Sequence, residues 1–209
     1  MDPLLSPYEL EFFAEDEIVK IVPNFSLPTF SNSTIKCIGG IFGPFKPNIP
    51  VEVPIWLAVA LQKRNNCRIL QPEWLNIEAL QDALDQEKNT AAVFQRLPFH
   101  YLEISKILFV HAKDSFGTDL LKVKELIGDI CKVRLSKINA GLQVLQGPMT
   151  VKLNNLSAAE CNVIRPFFQG ALDRFHLLAS METNTYLGND NFENEDVNAQ
   201  PQRHMLATA

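Results

Sequence analysis

A mostly helical α+β protein, with a small N-terminal β-rich domain followed by an α-helical bundle, is predicted by three features of the sequence. Nine of the thirteen prolines fall within the first 72 residues, where β-branched and aromatic residues come in short runs. After Pro72 the apolar residues recur every three or four positions, the period of a helix with one buried face. Beyond Ser180 the chain is rich in Asn, Asp and Glu and loses its period, the signature of a disordered tail. The expected division is therefore 1–72 (β-rich with short helices), 73–180 (helical) and 181–209 (acidic tail).

Each element has its own warrant. A helical piece around Tyr8 to Ala14 precedes the first strand. Glu17 to Val22 reads as that strand, closed by Pro23, and Ile35 to Ile38 as a second, closed by Gly39-Gly40. Ser26 to Thr34 between them is polar and loop-like. Gly43 to Pro50 cannot hold long regular structure, because its prolines fix φ and donate no hydrogen bond. Val51 to Val53 is a third strand and Cys67 to Leu70 a fourth. A helix follows Pro54, a residue tolerated at the first helical position, and ends near Asn65-Asn66.

In the second half, Trp74, Ile77, Leu80 and Leu84 form one amphipathic stripe. Pro98 opens a helix whose stripe is Tyr101, Ile104, Leu108 and Ala112. Leu102, Ile107, Phe109 and Val110 make it apolar nearly all round, as in a bundle centre or a helix covered by a partner chain. A long helix from about Thr118 to about Leu145 carries Val123, Ile127, Ile130, Leu135, Ile138, Leu142 and Leu145. Lys122, Lys124, Lys132, Arg134 and Lys137 occupy its other faces. Ser157 and Glu160 form a capping box for the last helix, with Leu156 and Cys161 placed for a hydrophobic staple. Ile164, Phe168, Ala171, Phe175 and Leu178 line one side of that helix, and Pro166 within it predicts a kink.

Charge and cysteine content narrow the function. The net charge is −5, of which the five acids and one base after residue 180 carry −4, leaving −1 for the rest. A near-neutral body is a poor phosphate binder, since nucleic-acid affinity rests on counterion release by Lys and Arg. Cys37, Cys67, Cys131 and Cys161 are widely spaced, which suggests reduced, mostly buried thiols rather than zinc ligands or disulfides. The acidic start and the nine-residue maximum apolar run, Val53 to Leu61, predict neither signal peptide nor membrane span, hence a cytosolic or nuclear protein.

Catalytic signatures are weak throughout. Gly39, Gly40 and Gly43 are not followed by the Gly-Lys-Ser/Thr of a phosphate loop. His100, His111, His176 and His204 lack the i, i+4 spacing of a metal pair. No nucleophile elbow occurs. The residues point to a non-enzyme without cofactor, and the surplus apolar helix faces suit obligate assembly. Candidate interface residues are Ile127, Ile130 and Ile138 on one helix face and Phe168, Phe175 and Leu178 on another.

Three segments carry a family resemblance. They are Ile18 to Leu27, the stretch Gly39-Gly40-Ile41-Phe42-Gly43-Pro44-Phe45-Lys46-Pro47-Asn48-Ile49-Pro50-Val51-Glu52-Val53-Pro54-Ile55-Trp56-Leu57-Ala58, and Cys67 to Leu75. In order, spacing and wording they resemble the second partner-of-Sld-five family, subunits of the eukaryotic GINS replication complex. The likeness extends from about Glu9 to Leu178. It implies a β-rich domain followed by a helical domain and a heterotetramer of four paralogous subunits held largely by the helical domains. It further implies a nuclear scaffold that binds the MCM ring and a RecJ-like partner to make the active replicative helicase. DNA would be met only indirectly, with no membrane, catalytic residue or cofactor. The loop Pro28 to Thr34 is longer than the family's, and Pro166 interrupts a helix that the family keeps continuous. The rival expectation from the residues is a stand-alone helical adaptor or nucleic-acid-binding module that works through the lysine face.

Overall fold

A computed structural model describes residues 4–26, 34–37, 39–90, 93–144 and 154–189. Five short strands and seven helices occur among them, in the predicted order of β-rich then helical. The chain divides into two units, Met1–Pro166 and Phe167–Ala209.

Helix α1 (Pro7–Ala14) begins at a capping box that the sequence reading passed over. The Ser6 N–H donates to Glu9 Oε2 at 2.7 Å, and the Glu9 N–H donates back to Ser6 Oγ at 3.3 Å. Strand β1 (Ile18–Pro23) is the centre of a three-stranded antiparallel sheet, between β4 (Val51–Pro54) and β5 (Cys67–Ile69). The register pairs Lys20 with Glu52 and Ile21 with Ile69. Val19, Ile21 and Pro23 are buried and Ile18 and Lys20 exposed, the period-two alternation of a sheet with one covered face.

The second strand, β2 (Ile35–Cys37), pairs with a strand that was not expected, β3 (Gly40–Phe42). The glycines read as a stop are instead its turn: Gly40 has φ +140°, which side-chain-bearing residues rarely adopt. The connector after β3 buries Phe45, which stacks on Phe25 at 5.6 Å, while Phe42 meets Trp56 edge-on at 5.9 Å. Its tip is tied down where the Asn48 N–H, at φ +61°, donates to the Pro23 carbonyl at 2.9 Å. The loop 27–33 lies outside the described residues.

Helix α2 (Ile55–Gln62) has Pro54 as its cap rather than its first residue. Trp74 sits in a 3-10 turn, Glu73–Leu75, and not on α3 (Ile77–Asn89), because Asn76 is extended between them. Helix α4 (Tyr101–His111) starts three residues after Pro98, through a turn in which the Tyr101 N–H reaches the Pro98 carbonyl. A short helix α5 (Lys113–Phe116) and a 3-10 turn, Gly117–Asp119, lead into α6 (Leu120–Val144). Helix α7 (Ala158–Asn189) runs through Pro166 and on past Ser180, so residues 181–189 are helical where a disordered tail was expected. Residues 190–209 lie outside the described ones. The two units divide at Pro166.

One continuous buried cluster joins the β module to the helical half, from Ala14, Val19 and Ile21 through Leu57 and Ile69 to Leu80, Leu108, Ile127 and Ile130. The expected two-part organisation is therefore stitched together by a shared core within the first unit. The Tyr101, Ile104, Leu108 and Ala112 stripe is wholly buried there. Ser115 on α5 fastens the two halves further by donating its hydroxyl to the Ile69 carbonyl of β5. Of the four free cysteines only Cys67 is buried; burial pushes its thiol up to about 11, so it is inert at neutral pH.

Candidate protein-interaction surfaces

The best-organised polar site among the described residues is internal, and it determines which faces of α6 and α7 remain outside. Arg134, expected on the solvent face of α6, is 0 % exposed. Its guanidinium grips Glu160 in a two-pronged pair, Nε to Oε1 at 2.7 Å and Nη2 to Oε2 at 2.8 Å. Nη1 reaches Glu87 Oε1 at 3.4 Å and the Gln95 carbonyl at 3.2 Å, and Nη2 also reaches the Asn155 carbonyl at 2.6 Å. All five guanidinium donors thus have acceptors, the condition under which a buried cation is tolerated. The rings of Phe94 and Tyr101 flank it at 5.0 and 5.9 Å.

The carboxylates are equally committed. Glu87 Oε2 accepts from the Gln95 N–H at 2.8 Å, and Lys137 Nζ lies 3.4 Å from Glu87 Oε1. Glu160 Oε2 also accepts from the Ser157 N–H at 2.8 Å, so the predicted capping box is present and shares its carboxylate with Arg134. Burial alone would raise the Glu160 carboxyl, but the hydrogen bonds from Arg134 and Ser157 and the Arg134 charge hold it below the usual range. The cluster pins the 93–95 segment and Asn155 against α3, α6 and the start of α7. It is a closed knot with no space for a substrate.

Consequently the lysine-rich face of α6 is smaller than the sequence suggested. Arg134 is inside and Lys137 is spent on Glu87 and the Val93 carbonyl, leaving Lys122, Lys124 and Lys132 exposed. Lys132 is paired with Asp129 at 2.9 Å. Few cations remain for a phosphate-tracking stripe.

The six predicted interface residues separate by helix. Ile127, Ile130 and Ile138 on α6 are buried by the chain's own packing, Ile127 and Ile130 within the continuous core. The heptad pattern correctly marked an apolar face, but α3 packs against α6, and such a face does not announce what covers it. On α7, Phe168 is half-buried and in edge contact with Phe167 at 5.7 Å. Leu178 is 56 % exposed, and Leu172 and Leu177 are exposed beside it in sequence. Phe175 lies on α7, but its side chain is outside the described residues.

Surfaces that periodicity did not single out are more exposed. Tyr8, Phe12 and Phe13 of α1 stand out in water, with Lys106 of α4 over the Tyr8 ring at 5.8 Å and paired with Glu11. Between α4 and α6 lies an open groove of about 370 Å³ floored by Leu102, Phe109, Val110 and Ile127 and edged by Lys106, Lys113 and Lys124. Such apolar exposure beside charged rims is the usual mark of a contact surface. Among the described residues no group of three or more His, Cys, Asp or Glu could hold a metal ion, and no helix is long and apolar enough to cross a membrane.

A small β-rich module sharing its core with a helical bundle, a closed internal ion cluster and apolar helix faces left in water define a helical subunit of the assembly-forming kind. Family comparison is specific: the PSF2 N-terminal domain matches residues 6–70, and the GINS complex protein helical bundle domain matches residues 74–178. The chain belongs to the PSF2 family. It is 38 % identical over 172 residues to the DNA replication complex GINS protein PSF2 of Homo sapiens, covering 81 % of this chain and 90 % of that one. The corresponding protein of Xenopus laevis is 37 % identical over the same shares. That of Schizosaccharomyces pombe is 32 % identical, covering 84 % of this chain and 92 % of its own.

Proposed function

We propose that this chain is a non-catalytic subunit of a GINS complex, one of four paralogous chains in a nuclear heterotetramer. The complex acts as a scaffold that brings the MCM ring and its RecJ-like partner into the active replicative helicase, meeting DNA indirectly. The observation that carries this reading is the family match across both halves of the chain. It is supported by the exposed apolar side chains on α1, α4, α6 and α7, which a protein working alone would leave in water at a cost of about 25 cal/mol per Å². Among the predicted interface residues, Phe168, Phe175 and Leu178 on the second half of α7 are the part of the surface we assign to a paralogue.

The test is co-expression with the three paralogues followed by light scattering on a sizing column. One species containing each chain once is expected. A stable, monodisperse 23.6 kDa monomer that ignores all three would overturn the reading.

A further inference from the structure

The α4–α6 groove has the chemistry of a helix-docking site for a particular kind of partner. Its α4 wall uses Leu102, Ser105, Lys106, Phe109 and Val110, spaced i, i+3, i+4, i+7 and i+8, one continuous face of the helix. That face is apolar and uncovered, with Val110 58 % exposed. The α6 wall presents Lys124 and Ile127. Leu121, 77 % exposed, stands one helical turn before Lys124, and Gly128 one turn after it.

Two details indicate that the face is shaped for something outside the chain. Gly128 lies in the middle of a 25-residue helix, where glycine costs about 1 kcal/mol relative to alanine. A Cβ built there would meet nothing within 4 Å, so this chain's own packing gives no reason for the glycine. Removing the side chain lets a second backbone approach closely. The rim is also of one sign. No acid lines the groove, and Lys113 and Lys124 make no ion pair among the described residues, whereas Lys106 is already held by Glu11.

Resting on the assembly reading above, we propose that this groove receives an amphipathic helix from a paralogous chain. Its apolar stripe covers Phe109, Val110 and Leu121 and passes close to Gly128. Its Asp or Glu residues flank that stripe and face Lys113 and Lys124. Charge complementarity and the gap over Gly128 select this occupant over a neutral or basic segment.

The test is a competition within the whole assembly. Differently tagged wild-type and variant chains are co-expressed with limiting paralogues, a paralogue is captured, and the ratio of the two tags is measured. Gly128→Leu fills the gap without touching an atom of its own chain, and Leu121→Glu changes a side chain already in water. Both are expected to be under-represented about tenfold, the loss of one modest hot spot. The double change Lys113→Glu with Lys124→Glu is expected to show a similar deficit at low salt that shrinks at high salt, because exposed charges are screened.

Equal incorporation of Gly128→Leu and Leu121→Glu would overturn the groove while leaving the subunit reading intact. Failure of the wild-type chain to be captured would overturn the subunit reading itself. A charge-reversed chain incorporated like wild type at both salts would overturn the acidic partner. Capture of a second copy of this chain that the variants abolish would give the groove a different occupant and also overturn the proposal.

Discussion

Arg134 is the residue through which the most distant parts of the first unit are joined. Its partners come from α3, the 93–95 segment, the turn before α7 and α7 itself. Because a buried pair whose one member is removed leaves an uncompensated charge, Arg134→Met is expected to destabilise the chain by about 3–5 kcal/mol, read from denaturant unfolding. The pH dependence follows from Glu160. Its folded carboxyl is held low, so its stabilisation is present above the unfolded value and is lost as pH falls through the folded one. Glu103 behaves oppositely. Burial raises its carboxyl, His100 lowers it, and Glu11 and Glu160 add to the rise. Its Oε2 lies 3.9 Å from His100 Nδ1, and both atoms lack hydrogen-bond partners among the described residues. A raised acid favours the fold below its unfolded value and loses that contribution as pH rises through the folded one. Glu103→Gln supplies an N–H facing Nδ1 without a charge and is expected to raise the melting temperature at pH 7. The gain would correspond to about 1–3 kcal/mol, the cost of an unmet buried polar group, and would vanish near pH 4. An unchanged melting temperature at pH 7 would refute this account.

At the level of elements, two helices begin at the same device in different surroundings. The Ser6–Glu9 box of α1 is exposed, and the Ser157–Glu160 box of α7 is buried and coupled to Arg134. A cap in water exchanges one partner for another when it is lost, whereas a buried one leaves N–H groups unsatisfied. Ser157→Ala should therefore cost about 1–2 kcal/mol and Ser6→Ala about 0.5 kcal/mol, compared in parallel thermal melts. The Ser157 box was legible because Ser-x-x-Glu stood before an apolar run with no rival signal nearby. The Ser6 box has the same form but precedes only an eight-residue helix. Strand β3 was not legible, since Gly40-Ile41-Phe42 is too short to show alternation and its glycines read as a stop. The extension of α7 beyond Ser180 was missed because a polar helix carries no hydrophobic period.

For the whole molecule, the consequential fact is where apolar surface ends up. The α6 isoleucines are consumed internally, while Val110, Leu121 and Leu178 stay in water. Leu178→Asp alters a side chain already more than half exposed, so folding should survive while assembly suffers. About a tenfold loss of incorporation is expected in the co-expression experiment, and full incorporation would show that this part of α7 is not an interface. The internal commitment of Arg134 and Lys137 also weakens the rival picture of a chain gripping nucleic acid alone through α6. A titration at two salt concentrations checks that directly, since phosphate binding falls steeply with salt.

The sequence by itself determined the order of strands and helices, the α7 cap, the buried α4 stripe and, through three unbroken segments, the family. These are local or nearly local properties, written in periodicity, turn chemistry and contiguous wording. Only the tertiary structure decided that one core unites the two halves, that Arg134 is buried and that Ile127, Ile130 and Ile138 face inward. A helical pattern shows that a face is apolar, and a basic residue between apolar ones looks like a solvent position. Which element arrives to cover that face, and whether two carboxylates 47 and 26 residues away arrive with it, depends on long-range packing that no local period encodes.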